Sequence, residues 1–242
     1  MNKVKEHYDN HLADFYSWMT GDFNARVNDN LEFFKTHNII PFNDKQAIDL
    51  GSGHGIQSVA LSHLGFNVLA VDFSRQLLDE LKQNSNGKVE VLEADIMDFK
   101  AYNTYKPELI VCMGDTLTHL KDVNDVKSMI NNSAGILCEN GKIVLSFRNF
   151  KNELKGTARF INVKSDDNRI LTCFLEYFVN HVNVTDILYE KTEGKWIMKA
   201  SSYPKLKLSP ETVKQILEES NLMVINEENK NGMDYVIAQK NN

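Results

Sequence analysis

The sequence predicts an α/β fold: a doubly wound, mostly parallel sheet with N-terminal helices and an antiparallel β insertion. Three observations carry this. Between residues 45 and 150, short apolar runs alternate with helical patterns, as in a parallel sheet covered on both faces. Three glycines at every second position, in Gly51-Ser52-Gly53-His54-Gly55, join the first apolar run to a helix. From Thr157 to Leu208 helix signals stop and apolar residues alternate instead.

Residues 1–44 read as a helical cap. Leu12, Phe15, Tyr16 and Met19 recur at helical spacing, Thr20-Gly21-Asp22 breaks the pattern, and a second helix runs from Phe23 to about His37. Residues 45–150 form the core. Its strands are Ala47–Leu50, Phe66–Val71, Val89–Leu92, Leu109–Met113 and Lys142–Phe147. Its helices are Ile56–Leu64, a segment after Ser74 as cap, and Asp122–Ser133. Residues 151–208 form the insertion, with hairpin turns at Asp166-Asp167-Asn168 and Glu193-Gly194. It is expected to act as a lid or an oligomer interface. Residues 209–242 return to the core: Ser209-Pro210-Glu211 opens a helix, and two closing strands lie near Met223–Asn226 and Tyr235–Ala238.

The 242 residues carry a formal net charge of -6, so there is no basic field to hold a nucleic acid backbone. No apolar run reaches the roughly 20 residues of a membrane span. The N-terminal MNKVKEHYDNHLADFY lacks the apolar centre of a signal peptide. The expectation is a cytoplasmic protein with no membrane or nucleic acid partner. Cys112, Cys138 and Cys173 form no CxxC pair and no repeated Cys/His spacing, which points to buried free thiols and no metal.

The glycine spacing discriminates between ligands. A dinucleotide fingerprint has its third glycine at the sixth position, where this chain has Ile56. A P-loop needs a Lys that does not follow here. Asp72 closes the second strand, where a carboxylate can accept both hydroxyl protons of a ribose. Asp95 lies just past the third strand and can accept from an adenine amino group. Glycines, then Asp72, then Asp95, read as a nucleoside site without a place for phosphate charge.

In that order these segments resemble the class I S-adenosylmethionine-dependent methyltransferases, with their Rossmann-like sheet. IDLGSGHG resembles the family's first motif, VDFS its second, EADIMDF its third and LIVCMGDTLTHL its fourth, where the transferred methyl sits. The resemblance implies S-adenosyl-L-methionine as cofactor. It places Asp49, Gly51, Gly53 and Gly55 along the methionine portion, Asp72 at the ribose hydroxyls, Asp95 and Ile96 at the adenine, and Phe73 and Met113 among the cofactor contacts. A narrower resemblance is to glycine and sarcosine N-methyltransferases. Arg26 matches their Arg for the cofactor carboxylate, and Phe147-Arg148-Asn149-Phe150 matches their Arg-Asn-aromatic run. One departure stands out: their Gly-Asn-Ser is Gly114-Asp115-Thr116 here.

Methyl transfer asks for an in-line lone pair, and for proton removal when the acceptor is an ammonium or hydroxyl. Asp115, directly after the fourth strand, is the first candidate base, and His119 the second. Arg148 can bind a substrate carboxylate or pair with a nearby acid. Tyr16, with Tyr8, can close over the site, or simply pack. His54, inside the glycine loop, is expected to point to solvent or to the cofactor edge. Phe174, Tyr177 and Phe178 can pack as core or form a cage for methylated ammonium. The reading is a methyltransferase acting on a small-molecule acceptor, with an amine nitrogen ahead of oxygen. Two other classes compete: a non-catalytic module that keeps the cofactor fold, and a nicotinamide oxidoreductase, which Ile56 disfavours.

Overall fold

The computed structural model describes residues 3–241. They divide into two compact units. One joins the described residues up to Gly21 to Phe150–Lys207, and the other joins Asp22–Asn149 to the residues from Leu208 onward. The 44-residue N-terminal cap expected from the sequence is therefore split at Gly21, where φ is +90° and the first helical run ends.

The larger unit is a seven-stranded sheet. Its strands are β1 (Gln46–Leu50), β2 (Asn67–Asp72), β3 (Glu90–Glu93), β4 (Leu109–Cys112), β5 (Lys142–Arg148), β10 (Leu222–Lys230) and β11 (Met233–Lys240), in the order β10-β11-β5-β4-β1-β2-β3. Strands β1 to β5 pair in parallel, and β11 and β10 add on antiparallel. β1 and β4 are buried almost throughout, so their apolar runs are continuous rather than alternating. The closing strands run longer than their apolar cores because polar residues extend the β10–β11 hairpin.

Four of the five described α-helices of this unit start where a short polar side chain meets free backbone N–H groups. Asp22 caps α3 (Phe23–Thr36), Ser74 caps α5 (Arg75–Asn84), Asp122 caps α6 (Val123–Ile136), and Ser209 caps α7 (Pro210–Glu219). The helix α4 (Ile56–His63) differs. It starts from Gly55 in the left-handed conformation, with no side-chain cap. Chain order reverses between β1 and β4, the crevice where ligands of open α/β sheets bind.

The smaller unit is an antiparallel sheet of β6 (Phe160–Ser165), β7 (Arg169–Tyr177), β8 (His181–Thr192) and β9 (Lys195–Leu206), in chain order. Turns fall at 166–168 and 193–194. Leu12 and Phe15 pack on Leu171 and Leu188 of this sheet. The N-terminal segment is not one continuous α-helix. It runs as α1 (Lys3–His7), a π-helical turn (Tyr8–Leu12), a 3-10 turn (Ala13–Phe15) and α2 (Tyr16–Thr20). The wide turn lets His7 and His11 both face inward, where His7 contacts Asp186 at 3.2 Å and Ser201 Oγ at 2.8 Å.

No described helix is long and apolar enough to cross a membrane. The three cysteines are free, but only Cys112 is buried; Cys138 and Cys173 are half-buried, because their strand and turn positions leave one side open.

Candidate active site

The glycine loop is pinned from both sides. Gly51 N and Ser52 N both donate to Val71 O, at 2.8 and 3.1 Å, which folds the loop from the end of β1 onto β2. Gly53 N donates to Asp72 Oδ2 at 2.8 Å, and Ser74 N donates to Asp72 Oδ1 at 2.8 Å. The Asp72 carboxylate thus sits at the mouth of the crevice, joined to the loop and to the start of α5.

Gly51 has a reason to be glycine besides a ligand. Its φ is +74°, and a Cβ there would lie 2.3 Å from Thr116 Cγ2. The loop after β1 and the loop after β4 therefore meet across the switch point with no room for a methyl group. A Cβ on Gly55 would meet Leu81 of α5 at 2.6 Å.

Asp49 is buried within β1. Ser58 Oγ donates to its Oδ2 at 2.6 Å. Burial pushes its carboxyl up to about 7, and the negative charge of Asp72 adds to the rise against the Ser58 hydrogen bonds. The side chain ties strand to helix from inside. Ser58 was not singled out from the sequence; a polar residue two positions into the helix after an apolar strand's acid is the signal that marks it.

His54 does not point to solvent. It is buried, its ring stands edge-on to Phe23 at 5.3 Å, and burial lowers its pKa to about 4. It stays neutral through the physiological range, which removes it as a proton carrier. The cause is the tight loop, which turns the side chain toward α3.

Asp95 is exposed after β3 and accepts from Met97 N at 3.0 Å. Ile96 is buried, and its carbonyl accepts the Tyr102 hydroxyl proton. Phe73 is half-buried between Asp72 and the Ser74 cap, and Met113 is buried at the end of β4.

Asp115 follows β4 with φ +82°, a left-handed conformation rare outside glycine and tolerated best by Asn and Asp. Its carboxylate is buried. Oδ1 accepts from Thr118 Oγ1 at 3.1 Å and from Arg148 N at 2.9 Å, and Oδ2 lies 3.8 Å from Arg148 Nε. It accepts from the Thr118 hydroxyl within the 3-10 turn Thr116–His119 and latches that turn to the end of β5. His119 is half-buried at the end of that turn.

Arg26 is exposed on α3, with Asp29 at 3.9 Å. Arg26 and Arg148 both lie near the Tyr235 phenol, where they lower its pKa against the burial and the Glu228 charge that raise it. Tyr235 pairs with Ser146 across β11 and β5, and Ser146 Oγ accepts from Gly114 N at 2.9 Å. Neither Tyr235 nor Ser146 was picked from sequence. Ser146 was legible as a lone polar residue inside the apolar run IVLSF.

Tyr16 belongs to the smaller unit, where it packs with Tyr8 on the Leu12–Phe15 cluster. The insertion aromatics do not converge. Phe174 stacks on Phe160 at 4.6 Å, Tyr177 packs on the Leu175 cluster, and Phe178 stacks on His181 at 4.6 Å. Alternation along β7 sends Phe174 and Tyr177 to opposite faces, so the three build no cage. Among the described residues no group of His, Cys, Asp and Glu can hold a metal ion.

The residues present fit a nucleoside cofactor. Ser52 Oγ is buried in the glycine loop without a hydrogen-bond partner among the described residues, and the next residue, Gly53, donates its N–H to Asp72.

Residues 47–141 match a methyltransferase domain family. A glycine/sarcosine N-methyltransferase of Parasynechococcus marenigrum is 26% identical over 142 residues, 56% of this chain and 49% of the relative. A ubiquinone biosynthesis O-methyltransferase of Coxiella burnetii is 32% identical over 124 residues, 46% of this chain and 48% of the relative. The chain spans about half the length of these curated relatives. Among solved structures, an S-adenosylmethionine-dependent methyltransferase from Clostridium acetobutylicum matches with TM-score 0.73 at 17% identity, covering 100% of this chain and 99% of that one. A sugar N-methyltransferase from Streptoalloteichus matches with TM-score 0.73 at 12% identity, covering 94% and 92%. Residues 47–141 thus match a methyltransferase domain family, and the chain shares the Rossmann-like fold of S-adenosylmethionine-dependent methyltransferases of solved structure.

Proposed function

We propose that this protein transfers a methyl group from S-adenosylmethionine to an amine nitrogen of a small molecule. The observation that carries the cofactor half is Asp72. Its carboxylate ends β2 and joins the glycine loop to the start of α5, where it can accept from ribose hydroxyls. In this reading Gly53, Phe73, Asp95, Ile96 and Met113 line the nucleoside, while Arg26 takes the cofactor carboxylate. Asp49, Gly51 and Gly55 hold the loop in shape behind it.

S-adenosylmethionine, when bound, supplies an electrophilic methyl group on a sulfonium. The chain's own task is to orient the acceptor, exclude water and take a proton where the acceptor carries one. Asp115 is the candidate for this, buried just after β4 with Oδ2 3.8 Å from Arg148 Nε. It attracts an ammonium and holds the proton that the nitrogen gives up. Arg148 balances its charge. His119 lies one turn beyond and is the second proton acceptor.

The N-methyltransferase relative and structural neighbour support nitrogen as acceptor. The O-methyltransferase relatives favour a second reading, transfer to a hydroxyl. Calorimetry with S-adenosylmethionine and S-adenosylhomocysteine tests the cofactor. Mass-spectrometric turnover with matched panels of small amines and alcohols tests the acceptor. Binding of both sulfur nucleosides with transfer to amines alone is expected. Transfer to alcohols alone moves the assignment to oxygen, and no binding ends it.

A further inference from the structure

The sheet β6–β9 has two unlike faces. Leu171, Leu175, Val184 and Leu188 are buried on one. On the other, the strand registers set Ile170, Tyr189 and Met198 in one row and Phe160 with Phe174 in another. Large apolar side chains on this second face stay open: Phe160 is 52% exposed, Ile170 37%, Tyr189 39%, Trp196 46% and Met198 57%. Single exposed apolar residues are ordinary, but a contiguous apolar sheet face marks an interaction surface.

We propose that this face binds the same face of a second copy of the chain, sheet on sheet, in a two-fold dimer. The extent of the face supports a second copy. Its strands have 6, 9, 12 and 12 residues. At about 3.3 Å per residue and about 4.8 Å between strands, they cover roughly 600 Å² in the plane of the sheet. Side chains standing on that plane raise the accessible area toward the roughly 800 Å² per partner of a stable interface. Two such faces interdigitate about 10 Å apart.

Charge supports it as well. The central rows of the face, through Phe174, Thr172 and Ile170 and their cross-strand partners, carry no ionisable group except the Tyr189 phenol. Glu176 stands at one end and Lys191 at the other, with Arg159 over the Phe174 ring at the β6 edge, 4.7 Å from its centroid. A two-fold axis perpendicular to the strands sets the Glu176 end of one copy over the Lys191 end of its partner. The face is then self-complementary, as an isologous interface must be.

Sedimentation equilibrium of the full chain at tens of micromolar tests this. The wild-type protein is expected at twice the chain mass. Met198→Lys and Tyr189→Lys, both at exposed positions, are expected to weaken the dimer at least tenfold with an unchanged circular dichroism spectrum. Met223→Lys, an equally exposed apolar site on β10, is the control and is expected to leave the dimer intact. Glu176→Lys is expected to weaken association, and adding Lys191→Glu to restore it. A monomeric wild type, a dimer that survives both face substitutions, or one lost in the control overturns the proposal. So does a wild-type monomer that floats with phosphatidylcholine vesicles, since the face would then serve lipid. Failure of the charge pair to restore association overturns the perpendicular axis.

Discussion

Gly51→Ala tests whether the first glycine is required by the protein itself, with no ligand present. An alanine at φ +74° sits in the left-handed region, which costs a non-glycine residue about 1–2 kcal/mol. Its Cβ would lie 2.3 Å from Thr116 Cγ2 and 2.6 Å from Thr116 Oγ1, so Thr116 must move. That side chain also donates to Met113 O at 3.1 Å, so rotation sacrifices a hydrogen bond as well. Crowding of this kind costs about 1–3 kcal/mol. Lower entropy of the unfolded chain returns about 0.4–1 kcal/mol. The expected net loss is about 2–4 kcal/mol, read from urea unfolding of ligand-free protein. Gly114→Ala is the matched control: its φ is +73°, but no atom lies within 4 Å of the added Cβ, so only the backbone part, about 1–2 kcal/mol, is expected. Thr116→Ala in the Gly51→Ala background is expected to recover the crowding part and leave the backbone part. A loss no larger than at Gly114, or no coupling between positions 51 and 116, refutes the steric account. The glycine would then be explained by ligand contact alone.

Asp49 and His54 oppose each other in one pH window. The raised carboxyl of Asp49, at about 7, makes stability fall as pH rises from about 4 to 7, because the folded state holds the proton longer. The lowered His54, at about 4, makes stability rise from about pH 4 to 6.5, because the unfolded state binds the proton first. Each slope amounts to roughly 3–4 kcal/mol across its window, at 1.36 kcal/mol per pKa unit. The two nearly cancel in the wild type. Asn at position 49 is expected to unmask rising stability with pH, and Phe at position 54 falling stability; equal flat profiles in both variants contradict this. Asp72→Ala should weaken S-adenosylmethionine binding by about 1–3 kcal/mol in calorimetry and also lower ligand-free stability, because Gly53 N and Ser74 N lose their acceptor. Unchanged affinity would remove the ribose from Asp72. Asp115→Asn keeps a side chain suited to φ +82° and an oxygen for Thr118 and Arg148 N, so the fold is expected to hold while turnover falls about 10²-fold or more. Intact turnover would show that Asp115 is no proton acceptor.

The parallel core was legible because its information is local. The continuous apolar runs of β1 and β4, the Ser74 and Ser209 caps, and the glycines that start α4 each follow from period, capping chemistry or backbone freedom within a few residues. The placing of Asp72 and Asp95 at the ends of their strands was legible for the same reason: strand ends in a parallel sheet lie together by topology. The broken N-terminal helix was not legible. Its π and 3-10 turns answer to Asp186 and Ser201, more than 170 residues away in sequence, and to the sheet they belong to.

What the sequence by itself determined is the sheet and the loops at its strand ends, since period and motif encode these over short spans. Tertiary structure alone decided what those loops touch. Gly51 meets Thr116, Asp49 meets Ser58, His54 turns inward onto Phe23, and Asp115 is spent partly on Arg148 and Thr118. The reason is physical. Contacts between strand ends depend on how far each loop folds back, and burial sets a charge's state only once the neighbours are in place.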